Sequence, residues 1–482
     1  MNAAIRRVAT VALVLLVALM VAATNIQVRE APSLNADSRN VRSIYREFGV
    51  SRGPIIVDGQ AVVASVPSDD AFGFQRTYTD GPLFAHVTGY FSIVFGRDGI
   101  ERAENEVLNG TADSFFIRRM QDLVTGRQQR GGSVELTLSR TLQEVAAEAL
   151  GDQRGAVVAL DVRTGAVLAM VSSPTYDPAL LAQHSTSRAN DAYQGLLADD
   201  SHPLRARATS TLYPPGSTFK VITAAAALES GAYDAATVVP APDTFTLPQS
   251  TSVLQNFGGT RCSPTGEQTL ADALRISCNT AFAQLGLEVG QDQLRRTAEA
   301  FGFNARSAVP VPVAASRVPA ELSAPELALS AIGQMDVAAT PLQMASVAQT
   351  IANGGERLEP YLVARVRDAN LEIVKDTEPV SAGRAVSAAT ARTLTEMMVG
   401  VVASGSGTAA RVPGVQVAGK TGTAQTTKEA APHAWFIGFA PADAPQVAVA
   451  VLVEHGGSMG SEATGGAVAA PIARKVLEAG LR

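Results

Sequence analysis

The sequence predicts an α+β protein: a large domain built on one central antiparallel sheet between helical layers, a smaller and mainly β module before it, and one apolar helix at the N-terminus. Three observations lead there. Paired apolar β runs, residues 156–160 with 166–171 and residues 435–439 with 447–453, stand at the two ends of the larger part of the chain, with mostly helical patterns between them. These runs are nearly continuous in apolar residues, as in a sheet covered on both faces. The chain of 482 residues, 46% hydrophobic and 17% charged, is too long for one core and too apolar to be disordered.

At the N-terminus, Arg6 and Arg7 precede a run, residues 8–23, whose only polar member is Thr10. Counted to Ile26, a helix here reaches roughly 28 Å, enough to span a bilayer. Arginines before the run and none between it and Arg29 put residues 1–7 on the cytoplasmic side and the chain beyond about residue 27 outside. The competing reading is a cleaved signal peptide, for which Val21-Ala22-Ala23 is a poor cleavage site. The expected division is therefore a tail (1–7), an anchor (8–26), a first module (27–132) and the main domain (133–482).

Turn signals at Arg52-Gly53-Pro54, Asp58-Gly59, Asp80-Gly81-Pro82 and Arg97-Asp98-Gly99 divide the first module into short β segments. Gln128-Gln129-Arg130-Gly131-Gly132 reads as the linker that closes it. A strand over 133–137 and a helix over 142–150 follow, then the first hairpin, turning at Arg163-Thr164-Gly165. Helical patterns cover 218–228, 270–287, 291–301 and 340–353, the second hairpin turns over 441–445, and a helix over 466–482 ends the chain with Pro471 near its first turn.

A net charge of −6 with scattered arginines gives no footprint for nucleic acid. Two cysteines and five scattered histidines support no metal site, and no cofactor is expected. In an exported domain Cys262 and Cys278 are expected to form a disulfide, the alternative being two buried thiols. Trp435 reads as core or cleft wall, His86, His433 and His455 have no partner in sequence, and Glu454, at a strand end, reads as solvated.

Chemistry concentrates in the lysines. The chain has five of them against 34 arginines, and two lie in Ser217-Thr218-Phe219-Lys220 and Lys420-Thr421-Gly422-Thr423. Arginine serves for fixed charge, whereas an amine that must lose and regain a proton near neutral pH has to be lysine. Pro214-Pro215-Gly216 forces a helix to begin at about Ser217, so free N–H groups surround its hydroxyl, and Lys220 shares its face. The following residues, 221–228, are apolar, which buries Lys220 and lowers its pKa, fitting it to take the Ser217 proton. Between the two lysine motifs stands Ser277-Cys278-Asn279, which completes the order SxxK, SxN, KTG. Taken alone it reads as an Asx or Ser turn; in this order Ser277 is a proton relay and Asn279 binds a substrate amide. Residues 415–425 read as an edge strand on which Lys420 offers charge to a terminal carboxylate, Thr421 or Thr423 a hydroxyl, Gly422 close approach, and the Thr423 N–H an oxyanion donor beside that of Ser217.

With these motifs in order and Tyr213-Pro214-Pro215-Gly216-Ser217-Thr218-Phe219-Lys220 complete, the chain resembles the penicillin-binding proteins, specifically the class B transpeptidases. Further matching stretches are Ser172-Ser173-Pro174-Thr175-Tyr176-Asp177-Pro178, Ala331-Ile332-Gly333-Gln334, Thr340-Pro341-Leu342-Gln343-Met344 and Trp435-Phe436-Ile437-Gly438-Phe439. The likeness implies a penicillin-binding/serine β-lactamase-like fold over about 155–482 and, before it, a pedestal carrying Gly99-Ile100-Glu101 and Asn105. It implies a serine acyl-enzyme that cross-links peptidoglycan stem peptides, donor and acceptor, and that β-lactams acylate. It further implies a polytopic membrane glycan polymerase of the division or elongation machinery as partner. Two departures stand out: Asp58-Gly59 lacks the arginine that family members carry after the aspartate, and Leu204-Arg205-Ala206-Arg207-Ala208 has alanine where they commonly have asparagine. The size of the first module excludes a glycosyltransferase domain, and with the cysteine pair it resembles the short actinobacterial members. Serine β-lactamases, D,D-carboxypeptidases or endopeptidases, and penicillin sensors use the same motifs. The first need a dedicated hydrolytic base, the second usually anchor at the C-terminus, and the third need an output domain.

Overall fold

A computed structural model describes residues 2–31, 34, 47–307, 309–425 and 430–482. The N-terminal run forms a helix from Asn2 to Thr24 that continues over Asn25–Glu30, and Ala3–Glu30 is long and apolar enough to cross a membrane, with a mean hydropathy of 2.4.

The main sheet has five antiparallel strands in the order Ala418–Ala424, His433–Ala440, Val447–Val453, Gly155–Asp161, Val167–Ser173. The two hairpins read from the sequence thus meet edge to edge, Val447–Val453 pairing with Gly155–Asp161, and the KTG strand closes one side. Every residue of the two strands after it is buried, as their unbroken apolar sequence requires. Alternate residues feed two cores. Val157, Ala159, Val449 and Val451 face the helices Arg140–Leu150 and Ala470–Gly480, whereas Ala156, Val158, Ala450 and Leu452 face Lys220–Glu229, Pro341–Ala352 and Ala388–Ser404.

The second sheet has six strands, ordered Ile373–Asp376, Val363–Arg367, Ser133–Leu136, Ile55–Val57, Gln60–Pro67, Phe74–Tyr78. It crosses the division expected at residue 132: Ser133–Leu136 pairs in parallel with Ile55–Val57 from before that point, Ile55 opposite Val134, and on its other side pairs antiparallel with Val363–Arg367, Val366 opposite Val134. The first module also carries helices, among them Gly81–Thr88, Gly99–Ala103 and Phe116–Thr125. Its interior holds an ion cluster in which Glu101, fully buried, accepts from Arg52 and Arg76, each at 2.6 Å, while Arg52 also donates to Asn105 at 2.8 Å. Module and main domain are stitched by Gln143, whose amide donates to the carbonyls of Leu83 at 2.9 Å and Met170 at 3.0 Å.

Candidate active site

Backbone geometry places each motif. Gly216, at φ 53°, turns the chain so that Gly216–Thr218 forms a tight turn before the helix Lys220–Glu229. The helix proper therefore begins three residues later than the sequence suggests, because the two prolines and the glycine tighten its first turn. Residues 270–287, read as one helix with a break, divide into Leu270–Arg275 and Asn279–Val289; the break is Ser277, in the left-handed region at φ 65°. A non-glycine residue there carries strain of roughly 1–3 kcal/mol and needs a surrounding frame. Two contacts supply it. Cys278 is bridged to Cys262, and the Asn256 side-chain oxygen accepts the N–H groups of Asn279 at 2.9 Å and Thr280 at 3.1 Å, capping the second helix.

These elements bring Ser217, Lys220, Ser277, Asn279 and Lys420 together. The Lys220 amine donates to the Ser277 carbonyl and to Asn279 Oδ1, both at 2.7 Å, and lies 3.4 Å from Ser277 Oγ. The Lys420 amine donates to Ser277 Oγ and to the Thr421 carbonyl, both at 2.8 Å. Both lysines are fully buried and have no carboxylate partner among the described residues. Burial, with the Lys420 charge adding to it, holds Lys220 well below the ordinary amine range; burial alone brings Lys420 down to about 7. A neutral Lys220 amine has two hydrogens and one lone pair. The carbonyl and the amide oxygen take the hydrogens, leaving the lone pair for a proton from a hydroxyl.

Neither lysine lines the cleft. Ser217, half-buried, does so together with Ser277, Asn279, Thr421 and Thr423, in a space of about 1360 Å³. That volume exceeds the usual small-molecule pocket and suits a peptide on each side of a reacting bond. Lys420 consequently reaches the cleft through Ser277 rather than offering its charge openly to a carboxylate, as the sequence had suggested. Gly422 also has another reason to be glycine: a Cβ there would stand 2.9 Å from Thr218 Cγ2, 3.0 Å from the Pro215 carbonyl and 3.0 Å from Trp435. The missing side chain lets the KTG strand lie against the Gly216–Thr218 turn. From the other side, a Cβ on Gly216 would come 2.9 Å from the Thr423 carbonyl, so the Thr423 backbone runs beside Ser217.

Several participants carry no sequence signal. Ser406 bonds Thr421 through their hydroxyls at 2.6 Å and lines the cleft, from a segment that matches none of the three motifs. Asn256 is likewise motif-free. Glu454 is not solvated but buried, at 6% exposure: it accepts from Tyr213 at 2.6 Å and from Arg207 at 2.9 Å, and Arg154 lies at 3.6 Å. Burial opposes its charge, yet the Tyr213 hydroxyl and the Arg207 charge outweigh burial and hold its carboxyl below the usual range. Tyr213 lies four residues before Ser217, so this buried pair anchors the chain that leads into the Gly216–Thr218 turn. Trp435 is core, its indole donating to the Pro214 carbonyl at 3.0 Å. His433 is also buried, which lowers its pKa to about 4, and it accepts from the His455 N–H at 3.1 Å.

Fold and constellation together define the class of active-site-serine acyltransferases. Residues 155–478 match the penicillin binding protein transpeptidase domain, and residues 52–134 match the penicillin binding protein A dimerisation domain. The chain belongs to the penicillin-binding protein transpeptidase family. Over its full length it is 47% identical to the peptidoglycan D,D-transpeptidase PbpA of Mycolicibacterium smegmatis, covering 99% of that protein, and 45% identical to PbpA of Mycobacterium tuberculosis, again covering 99%. The penicillin G acyl-enzyme structure of M. tuberculosis penicillin-binding protein A superposes on 90% of this chain and 100% of its own, with a TM-score of 0.85 at 45% identity. A D,D-transpeptidase domain from Eggerthella lenta superposes on 90% of this chain and 98% of its own, with a TM-score of 0.77 at 37% identity.

Proposed function

We propose that this chain is a peptidoglycan D,D-transpeptidase acting through a Ser217 acyl-enzyme. The observation that carries the reading is the pair of buried lysine amines, without a carboxylate partner among the described residues, joined through Ser277 behind a cleft into which Ser217 opens. Ser217 Oγ attacks the carbonyl carbon of the penultimate D-alanine of a donor stem peptide and passes its proton to Lys220. The peptide C–N bond breaks, and terminal D-alanine leaves as an amine after receiving a proton through Ser277, which connects Lys220 with Lys420. An acceptor amine then attacks the ester, returns a proton along the same path and frees Ser217. The N–H groups of Ser217 and Thr423 stabilise the oxyanion, each worth about 10²–10³ in rate. Thr421 and Thr423 hold the terminal carboxylate and Asn279 the donor amide. β-Lactams enter the same reaction and stop at the acyl-enzyme.

The chain is held in the membrane by one helix, with residues 27–132 as pedestal and 133–482 as catalytic domain outside the cytoplasm, where a polytopic glycan polymerase of the growth or division machinery is its partner. The Ala3–Glu30 helix supports the span, and Arg6 and Arg7 before its apolar run support the sidedness. The test is to incubate the full chain with un-cross-linked pentapeptide strands and to separate the products by mass. Cross-linked dimers together with released D-alanine support transpeptidation, whereas tetrapeptide monomers alone make the chain a carboxypeptidase.

A further inference from the structure

The cleft into which Ser217 opens carries a charge that the acylation chemistry leaves unused. Its described lining holds two arginines, Arg261 and Arg317, and no aspartate or glutamate. Arg261 is engaged already, its Nε and Nη2 both 3.1 Å from Asp243. Arg317 has no carboxylate partner among the described residues, although it is exposed and lines the same space.

The surrounding backbone holds Arg317 in place. Its N–H donates to the Ala338 carbonyl at 2.7 Å, and the Ala338 N–H donates back at 3.1 Å. Ala339, the next residue, exchanges the same pair of bonds with Tyr213 at 3.0 and 2.8 Å, so Arg317 is tied to the chain that leads into the Gly216–Thr218 turn. Met335 stands in the left-handed region at φ 58°, in the turn that supplies the Asp336 carbonyl, and Arg317 Nε donates to that carbonyl at 3.4 Å. Both Nη groups are left without a hydrogen bond among the described residues, and together they form the fork that matches a carboxylate.

The reaction proposed above indicates which carboxylate this is. Thr421 and Thr423 take the terminal one. Attack by the acceptor amine is the reverse of D-alanine departure, so the acceptor comes in on that same KTG side. The acyl chain that stays on Ser217 is left the wall of residues 329–338, where Ile332, Met335 and Val337 line the cleft and the Gly333 carbonyl accepts the Gly216 N–H at 2.9 Å. Arg317 belongs to this wall through Ala338. We infer that Arg317 binds a second carboxylate of the donor stem, on the side chain of the residue before D-Ala-D-Ala, and that the cleft thereby selects stems in which this group is a free acid over those in which it is an amide. The inference rests on the transpeptidase reading and names its donor.

The test gives the detergent-solubilised full chain two synthetic pentapeptides ending in D-Ala-D-Ala, identical except that the side chain of the third residue ends in a carboxylate in one and in its primary amide in the other. Released D-alanine is measured without an acceptor, so the donor alone is read. The native chain is expected to favour the carboxylate peptide about tenfold in kcat/KM, chiefly through KM. Arg317→Ala should abolish that preference and Arg317→Lys, which keeps the charge but not the fork, should retain part of it. Equal kcat/KM for the two peptides with the native chain, or a preference that persists in Arg317→Ala, overturns the inference and leaves the Ser217 chemistry standing. A preference that arises only when an acceptor amine is added, and follows the acceptor's own carboxylate, moves Arg317 to the acceptor and also overturns it. A native chain that releases D-alanine from neither peptide removes the transpeptidase reading, and the inference with it.

Discussion

Two lysines with no carboxylate beside them among the described residues make the folded state sensitive to pH in an unusual direction. Lys420 releases its proton at about 7 when folded, whereas an unfolded lysine keeps it until about 10.4. Between these values the unfolded chain binds more protons, so raising the pH favours the folded state. Lys220, lowered too, adds to the same slope. We expect urea unfolding midpoints to rise from about pH 7 to about pH 9, and to rise less in Lys420→Met; an unchanged slope in that variant would contradict the burial account. Glu454 sets a second test. Glu454→Ala leaves Arg207, which is fully buried, without its carboxylate, and should cost about 3–5 kcal/mol in thermal or urea unfolding. A loss under about 1 kcal/mol would mean that solvent replaces the carboxylate. The meeting of the two lysines at Ser277 was legible in the sequence because lysine is scarce and its two motif positions flank a third motif. The Glu454 pair was not, because its partners lie 241 and 247 residues away and nothing local distinguishes a carboxylate at a strand end from a solvated one.

At the level of elements, the site depends on how strained or tightly packed segments are held. Ser277 occupies a left-handed conformation between two helices, and the Cys262–Cys278 bridge and the Asn256 cap hold it there. Closing a loop of this size stabilises the fold by roughly 3 kcal/mol in the chain-entropy view. Replacing both cysteines by serine should therefore lower stability by about that amount and, by loosening Ser277, slow acylation by a β-lactam. Stopped-flow acylation at a temperature where both proteins are folded separates the two effects; an unchanged acylation rate would make the bridge purely structural. The strands and most helices followed from periodicity, since nearly continuous apolar runs of this length have few other solutions. The break at Ser277 followed from the motif. The cap from Asn256 did not, because an asparagine 23 residues upstream becomes a cap only once the disulfide loop folds back.

Across the whole molecule, the pedestal and the catalytic domain share a sheet rather than a linker. Ser133–Leu136 and Val363–Arg367 bind the first module's strands to the chain beyond residue 132, and Gln143 ties Leu83 to the edge of the main sheet. A polar, glycine-ended stretch reads as a linker from sequence. It is instead a strand lead-in, because the strand that completes its sheet comes from more than two hundred residues further on, a pairing that no local pattern announces. The shared sheet fixes the first module against the domain that carries the Ser217 cleft, and the chemistry proposed for that cleft depends on Ser217 being the acylated atom. The most direct measurement is intact mass of the chain after incubation with penicillin, compared with Ser217→Ala. A stable adduct of one drug mass, absent from the variant, is the expected result. An adduct of the same mass on Ser217→Ala, or drug consumed by the native chain with no adduct formed, would contradict the account.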